Sequence, residues 1–240
     1  MVQAVDRDFN INRLERYLTI CYSSKVSPII VLTKTDLIEP RNLNEIVENI
    51  KQRIKNIPIF AISNETKDGY DSIIGLIEKG KTYCLLGSSG VGKSTLMNNL
   101  TGKNIMKTNT ISKSTNKGRH ITSHRELTVL ESGGILIDNP GMREVGIVDS
   151  PKGLETAFDT IAKLSIDCKF KDCSHTTEID CAVLLALENG ELDELVYLNY
   201  LKIEREKEHF KSSVAEKRTK DKTLGKIVKD MKTKNIRNKY

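Results

Sequence analysis

The sequence predicts an α/β protein: an open, largely parallel sheet with helices on both faces, followed by a small helical module. Three observations predict it. Short apolar runs alternate with helical spacing through the first half of the 240 residues. A glycine-rich loop sits between a strand and a helix, and after about Ser150 strands give way to helices around a cysteine cluster.

Asn12 to Ser23 has helical spacing through Leu14, Tyr17, Leu18 and Cys21. Pro28 to Thr33, PIIVLT, is all apolar, the kind of strand buried in a parallel sheet. A charged helix follows from about Leu43 to Lys55, then a strand, IPIFAIS, from Ile57 to Ser63. Asp71 to Lys79 reads as helix and Thr82 to Leu86 as a third strand, which runs into the loop and a helix from Lys93 to about Leu100. Glu126 to Leu130 and Gly134 to Ile137 are two further strands. Beyond them Gly153 to Leu164, Cys181 to Asn189 and Glu191 to about Phe210 read as helices. The expected organisation is a nucleotide domain over 1–149, a helical domain over 150–210 and a basic tail over 211–240.

Hydrophobic content of 38% and charged content of 29% fit a soluble globular protein. No apolar run reaches the roughly 18 residues that span a bilayer. MVQAVDRDFN lacks the apolar core of a signal peptide. A cytoplasmic monomer with no membrane contact is expected. The net charge of +6 concentrates late: from Lys217 to Tyr240 only Asp221 and Asp230 oppose the lysines and arginines. Such a tail is either a solvated terminus or a segment drawn to phosphate backbones. Five cysteines without even spacing exclude a secreted disulfide framework. Cys21 and Cys84, in apolar runs, are expected to be buried fillers.

Gly87-Ser88-Ser89-Gly90-Val91-Gly92-Lys93-Ser94-Thr95 fits the phosphate-loop pattern and lies between strand and helix, where that pattern must lie. Its glycines let successive N–H groups turn around an anion, and the next helix aims its positive end at the same place. Lys93 is placed to reach the β- and γ-phosphates and Ser94 to ligate Mg2+.

Thr33-Lys34-Thr35-Asp36 leaves PIIVLT at the strand's carboxyl edge, where ligands bind in such sheets, and resembles the [N/T]KxD guanine motif. A carboxylate at Asp36 can accept from both the ring N–H and the exocyclic amine of guanine, a donor pair that adenine lacks. Lys34 can lie along the base, and Ser63-Asn64 fits the second guanine-contacting loop, usually Ser-Ala. Asp138-Asn139-Pro140-Gly141 resembles D-x-P-G: Asp138 would hold Mg2+ through a water, and the Gly141 N–H would sense the γ-phosphate. Between the two lies a polar stretch ending in Gly118 to His124, which suits a switch, with Thr122 as a second hydroxyl on Mg2+. Met142 stands where Ras-like enzymes carry a water-orienting glutamine, so slow intrinsic hydrolysis is expected, with His120 as the residue that positions water. Arg119 and Arg143 are candidates to offset transition-state charge.

The order of these motifs is informative. Ordinary GTPases run from the phosphate loop through the switch threonine and D-x-x-G to the guanine motif, whereas here the guanine motif comes first. The expectation is a circularly permuted P-loop GTPase domain whose second switch leads directly into the C-terminal module. In that module Cys168-x4-Cys173-x-His175-x5-Cys181 supplies three thiolates and an imidazole, the set for one closed, structural Zn2+.

The permuted order, GSSGVGKSTLMNNL, GRHITSHREL, DNPGMRE and CKFKDCSHTTEIDCAV together resemble the ribosome small-subunit-dependent GTPase A (RsgA) family over about Val5 to Phe210. The resemblance implies binding of GTP and GDP and hydrolysis of GTP stimulated by the small ribosomal subunit. It also implies a role in that subunit's late maturation, contact with its rRNA, and a zinc domain held by the four ligands above. The family's N-terminal OB-fold has no counterpart here, and its GRHTTT reads GRHITS. Both lead to an expectation of weakened ribosome binding rather than lost nucleotide binding. Two other readings use the same residues: a P-loop ATPase or kinase, and an RNA- or ribosome-binding module with a largely structural nucleotide site.

Overall fold

The computed structural model describes residues 1–6, 9–102, 126–138 and 151–208. His120, Thr122, Gly141, Arg119, Arg143 and the basic tail lie outside them, as does the side chain of Asp138.

A parallel βαβαβ unit comes first: β1 (Val2–Ala4), α1 (Ile11–Ser23), β2 (Ile30–Thr33), α2 (Pro40–Arg53) and β3 (Ile59–Ala61). The Asn10 side chain caps α1 by accepting from the Asn12 N–H at 3.0 Å, and Pro40 starts α2, where its missing N–H costs nothing. Then follow α3 (Tyr70–Leu76), β4 (Thr82–Leu85), α4 (Lys93–Thr101), β5 (Glu126–Val129) and β6 (Ile135–Asp138). β4 pairs with β6 in parallel and β5 with β6 antiparallel. The Val2 N–H donates to the Leu86 carbonyl at 2.7 Å, which links the two three-stranded sheets, β1-β2-β3 and β4-β6-β5. The loops leaving β2, β3 and β4 therefore emerge at one carboxyl edge, where ligands bind in such sheets.

β2 is apolar up to Thr33 because both of its faces are covered. Ile30 and Leu32 pack with Leu14, Tyr17 and Leu18 of α1 and Ile50 of α2. Val31 points the other way, into a core with Tyr70, Ile73, Leu96 and Met97 from α3 and α4. Arg53 of α2 donates to both carboxylate oxygens of buried Glu15 on α1, at 2.7 and 2.8 Å, which pins the two helices on that face.

The sequence reading missed β1. Three residues with a central Gln3 carry no strand pattern, yet all three are buried and Gln3 Nε2 donates to the Asn10 carbonyl at 3.0 Å. Cys84 corrects an expectation as well: it is exposed, because it lies on the opposite face of β4 from buried Leu85. Cys21 is half-buried.

The helix expected over Gly153 to Leu164 is two helices, α5 (Pro151–Ala157) and α6 (Asp159–Ser165). Phe158 breaks it at φ −120°, ψ 51°, with its ring buried and edge-on to Tyr200 at 5.6 Å. That break is also where compact units change: Lys152–Ala157 belongs with residues 1–145, and Phe158 opens the described part of the second unit. Gly153 explains the return of α5 to the first unit, since a side chain there would collide with the Ser23 hydroxyl and the Thr19 carbonyl of α1. The second unit contains α6, α7 (Ala182–Glu188) and α8 over 194–208, around Phe158, Ile161, Val183, Ala186, Tyr197 and Ile203.

Candidate functional site

The phosphate loop runs from the end of β4 into α4. Gly87 is pressed against the Val2 carbonyl of β1, where no side chain fits. Gly90 and Gly92 take φ of 81° and 91°, the left-handed region that glycine enters freely. Buried Lys93 folds back over the loop, its Nζ donating to the Gly87 and Ser88 carbonyls at 2.8 Å each. An ammonium bonded to loop carbonyls is poised for anionic oxygens, which are stronger acceptors. Ser88 meets Tyr17 of α1, hydroxyl to hydroxyl, at 3.3 Å. Ser94 and Thr95, in the first turn of α4, are half-buried. Backbone register places Asp138 opposite Leu85, beside the strand end from which the loop departs.

The segment Thr33–Asp36, expected from the sequence to contact the base, abuts this loop. Thr33 is fully buried and its Oγ1 donates to the Val91 carbonyl at 2.6 Å. Lys34 turns into the left-handed region (φ 62°) and pairs with Asp6 at 2.7 Å. Thr35 and Asp36 then lie in a short 3-10 turn. Ser63 Oγ accepts from the Glu65 and Thr66 N–H groups at 3.1 Å each, so its own proton goes to Asp36 Oδ1 at 2.6 Å. That bond fixes the exposed Asp36 carboxylate at the sheet's carboxyl edge. Asn64 turns its side chain toward the phosphate loop, with Nδ2 donating to the Gly92 carbonyl at 3.1 Å and Oδ1 accepting from Tyr70 at 2.6 Å. The structure thus brings together Thr33, Lys34, Asp36, Ser63, Asn64 and the loop Gly87–Thr95, which lie apart in the sequence.

The second unit carries a cysteine–histidine cluster that could hold a metal ion. One donor atom from each of Cys168, Cys173, His175 and Cys181 lies within 4.8 Å of every other. Cys168 and Cys181 Sγ are 3.8 Å apart, too far for a disulfide, and His175 Nδ1 is 3.6 and 3.5 Å from them. A tetrahedron with metal–sulfur bonds of about 2.3 Å has sulfur–sulfur edges of about 3.8 Å, so the donors fit a four-coordinate metal ion. Ser165 Oγ donates to the Ile161 carbonyl at 2.7 Å and meets His175 Nε2 at 3.0 Å. With its proton so used, Ser165 accepts from Nε2–H, which leaves Nδ1 unprotonated and facing the sulfurs. Burial lowers the His175 pKa and favours the neutral ring that a metal needs.

The ligand loop is held by Glu178. Its carboxylate accepts from the Ser174 hydroxyl and N–H and from the Thr176 and Thr177 N–H groups. These bonds, the Ser174 hydroxyl foremost, hold its pKa well below the usual carboxylate range. Tyr197 donates to the His175 carbonyl at 2.8 Å and steadies His175 in a left-handed conformation (φ 57°). Asp6, Tyr17, Tyr70, Asn99, Ser165 and Glu178 escaped the sequence reading. Asn99 lies within GSSGVGKSTLMNNL and Glu178 within CKFKDCSHTTEIDCAV, but each of the six matters through a partner that the fold supplies.

A family model described as RsgA GTPase matches residues 1–148, and one described as 50S ribosome-binding GTPase matches residues 82–226. The chain is 44% identical over 206 residues to a protein of Listeria monocytogenes named small ribosomal subunit biogenesis GTPase RsgA 1, covering 86% of this chain and 59% of that one. A protein of the same name from Bacteroides thetaiotaomicron is 42% identical over 233 residues, covering 97% of this chain and 65% of the relative. The chain therefore spans less than two thirds of the length of these curated relatives. Among solved structures it is similar to YjeQ from Thermotoga maritima (TM-score 0.63, 27% identity, 86% of this chain and 69% of that one). It is similar also to YloQ, described as a circularly permuted GTPase (TM-score 0.61, 28% identity, 87% and 69%).

Proposed function

Because this chain belongs to the RsgA GTPase family, and its fold is that of a circularly permuted P-loop GTPase, we propose that it hydrolyses GTP to GDP and phosphate as a switch on the small ribosomal subunit, in that subunit's maturation. The observation that carries the proposal is the Ser63–Asp36 bond beside the Thr33–Val91 bond: a guanine-reading carboxylate is held in place while its own segment is fastened to the phosphate loop. Adenine would present its amine and an unprotonated ring nitrogen, which cannot both satisfy that carboxylate.

In this reading Lys93 and the loop N–H groups bind the phosphates, and Asp36, Lys34 and the loop at Ser63-Asn64 receive the base. Ser94 and Thr122 would hold Mg2+ directly and Asp138 through a water, the ion supplying charge to the developing phosphate. His120 positions the attacking water once the subunit orders the switch, and the Gly141 N–H senses the γ-phosphate. Cys168, Cys173, His175 and Cys181 bind one structural Zn2+, whose four protein ligands leave no position for substrate. The partner is the small subunit and its rRNA, met by the zinc module and the basic tail, with the chain working as a cytoplasmic monomer. No helix among the described residues is long and apolar enough to cross a membrane.

The test is GTP turnover with and without purified small subunits, with ATP as competitor. Stimulation specific to GTP is expected. Preference for ATP overturns the reading, and GTP binding without stimulation restricts it to nucleotide binding.

A further inference from the structure

Asn64 lies in the base-reading loop, yet its amide serves the phosphate loop. We propose that Asn64, backed by Tyr70 and Asn99, is a positioning residue that aims the N–H groups of the phosphate loop from behind, a task it shares with Thr33. The inference rests on the guanine-nucleotide reading above and gives Asn64, Tyr70 and Asn99 a task within it that the motifs do not assign.

The direction of each bond can be worked out. Asn99 Nδ2 donates to the Tyr70 hydroxyl at 2.8 Å and to the Asn64 main-chain carbonyl at 3.1 Å. The Tyr70 proton is thereby directed to Asn64 Oδ1 at 2.6 Å, which orients the amide so that Nδ2 donates to the Gly92 carbonyl at 3.1 Å. The chain of donors runs one way, from α4 through α3 and the β3 loop to Gly92, and bonds in series strengthen one another. It is enclosed as well: Tyr70 and Asn64 are buried, and a side chain on Gly92 would collide with Asn64 Nδ2.

Peptide geometry gives the chain its function. In a planar trans peptide the carbonyl and the following N–H point in opposite directions. Thr33 holds the Val91 carbonyl on one side, and the Gly92 carbonyl, which opens α4 by accepting from the Leu96 N–H at 2.8 Å, is held on the same side by Asn64 as well. The N–H groups of Gly92 and Lys93 are thus both turned away from the base-reading loop. Successive N–H groups facing one way are what gather around an anion. Base-reading loop and phosphate nest are set in one register by two side chains.

The test uses the full chain with Asn64→Ala and Tyr70→Phe, measuring binding of GDP and of guanosine together with GTP hydrolysis. Asn64→Ala should weaken GDP binding about tenfold, mainly through faster release, and Tyr70→Phe about threefold, in keeping with loss of a buried hydrogen bond. Guanosine, which has no phosphates, should bind Tyr70→Phe within about twofold of wild type and should lose less affinity than GDP does in Asn64→Ala, and KM for GTP should rise by a larger factor than kcat falls in both variants. GDP affinity unchanged in Asn64→Ala, or GDP and guanosine weakened equally, overturns the inference. If Asn64→Ala fails to fold, Tyr70→Phe, which keeps the ring and removes only the hydroxyl, decides by the same comparison. A wild-type chain that binds neither GDP nor guanosine overturns the proposed function, and this inference with it.

Discussion

In the proposed function, Asp36 is the side chain that sets the preference among bases. Its carboxylate receives one proton from Ser63 and faces outward at the sheet's edge. Asp36→Asn would put a donor where guanine also donates. GTP affinity should fall by roughly tenfold to a hundredfold, while xanthosine triphosphate, with a carbonyl in place of the amine, should gain, as competition binding would reveal. At the metal centre Glu178→Gln should keep one metal per chain but hasten its loss to a chelator, because the amide is a weaker acceptor for the loop N–H groups. The wild-type carboxylate has a lowered pKa, so its contribution is present above about pH 4.3, the ordinary Glu value, and fades as acid protonates it. Among single residues, those whose identity is their geometry could be read in the sequence: the glycines at 87, 90 and 92, and four metal donors within fourteen positions. Thr33 and Asn64, which depart from the usual Asn and Ala, could not be read as braces. Their partners, Val91 and Gly92, lie 58 and 28 residues away.

Elements were legible where one pattern ran for a full segment. Helix α1 and strand β2 fall within about two residues of expectation, because their apolar spacing is what their burial requires. β1 was not, since three residues cannot display a period and its burial comes from neighbours on both sides. The break between α5 and α6 was hidden too: nothing in the local spacing tells that Phe158 must leave the helix to stack on Tyr200. Two glycines in helices make opposite predictions. Gly153→Ala should destabilise the chain by about 1–3 kcal/mol, because it forces α5 off α1 at Ser23 and Thr19. Gly75→Ala in α3 meets open space and should stabilise by about 0.5–1 kcal/mol, through reduced freedom of the unfolded chain. Thermal denaturation of the two variants beside wild type should show midpoints shifted in opposite directions.

For the whole molecule, the sheet with its two cores and the cysteine–histidine centre occupy different compact units and are stabilised by different means. The first buries apolar residues on both sides of its strands. The second is small, leaves Ile166, Ile179, Leu185 and Leu195 exposed, and relies on its ligand loop. Metal analysis should therefore find one ion per chain, and a strong chelator should abolish the lower of two unfolding transitions while GDP binding persists. A single melting transition, lost together with GDP binding, would contradict this. The bond from Val2 to Leu86 joins a half with the proposed base-reading residues, within residues 1–64, to a half with the phosphate loop, within residues 82–138. During synthesis the base-reading half leaves the exit tunnel first and can form its three parallel strands alone. On the proposed reading the site is complete only once the strand end at Leu86 meets β1, so a nascent chain would gain its nucleotide late, in one closing step.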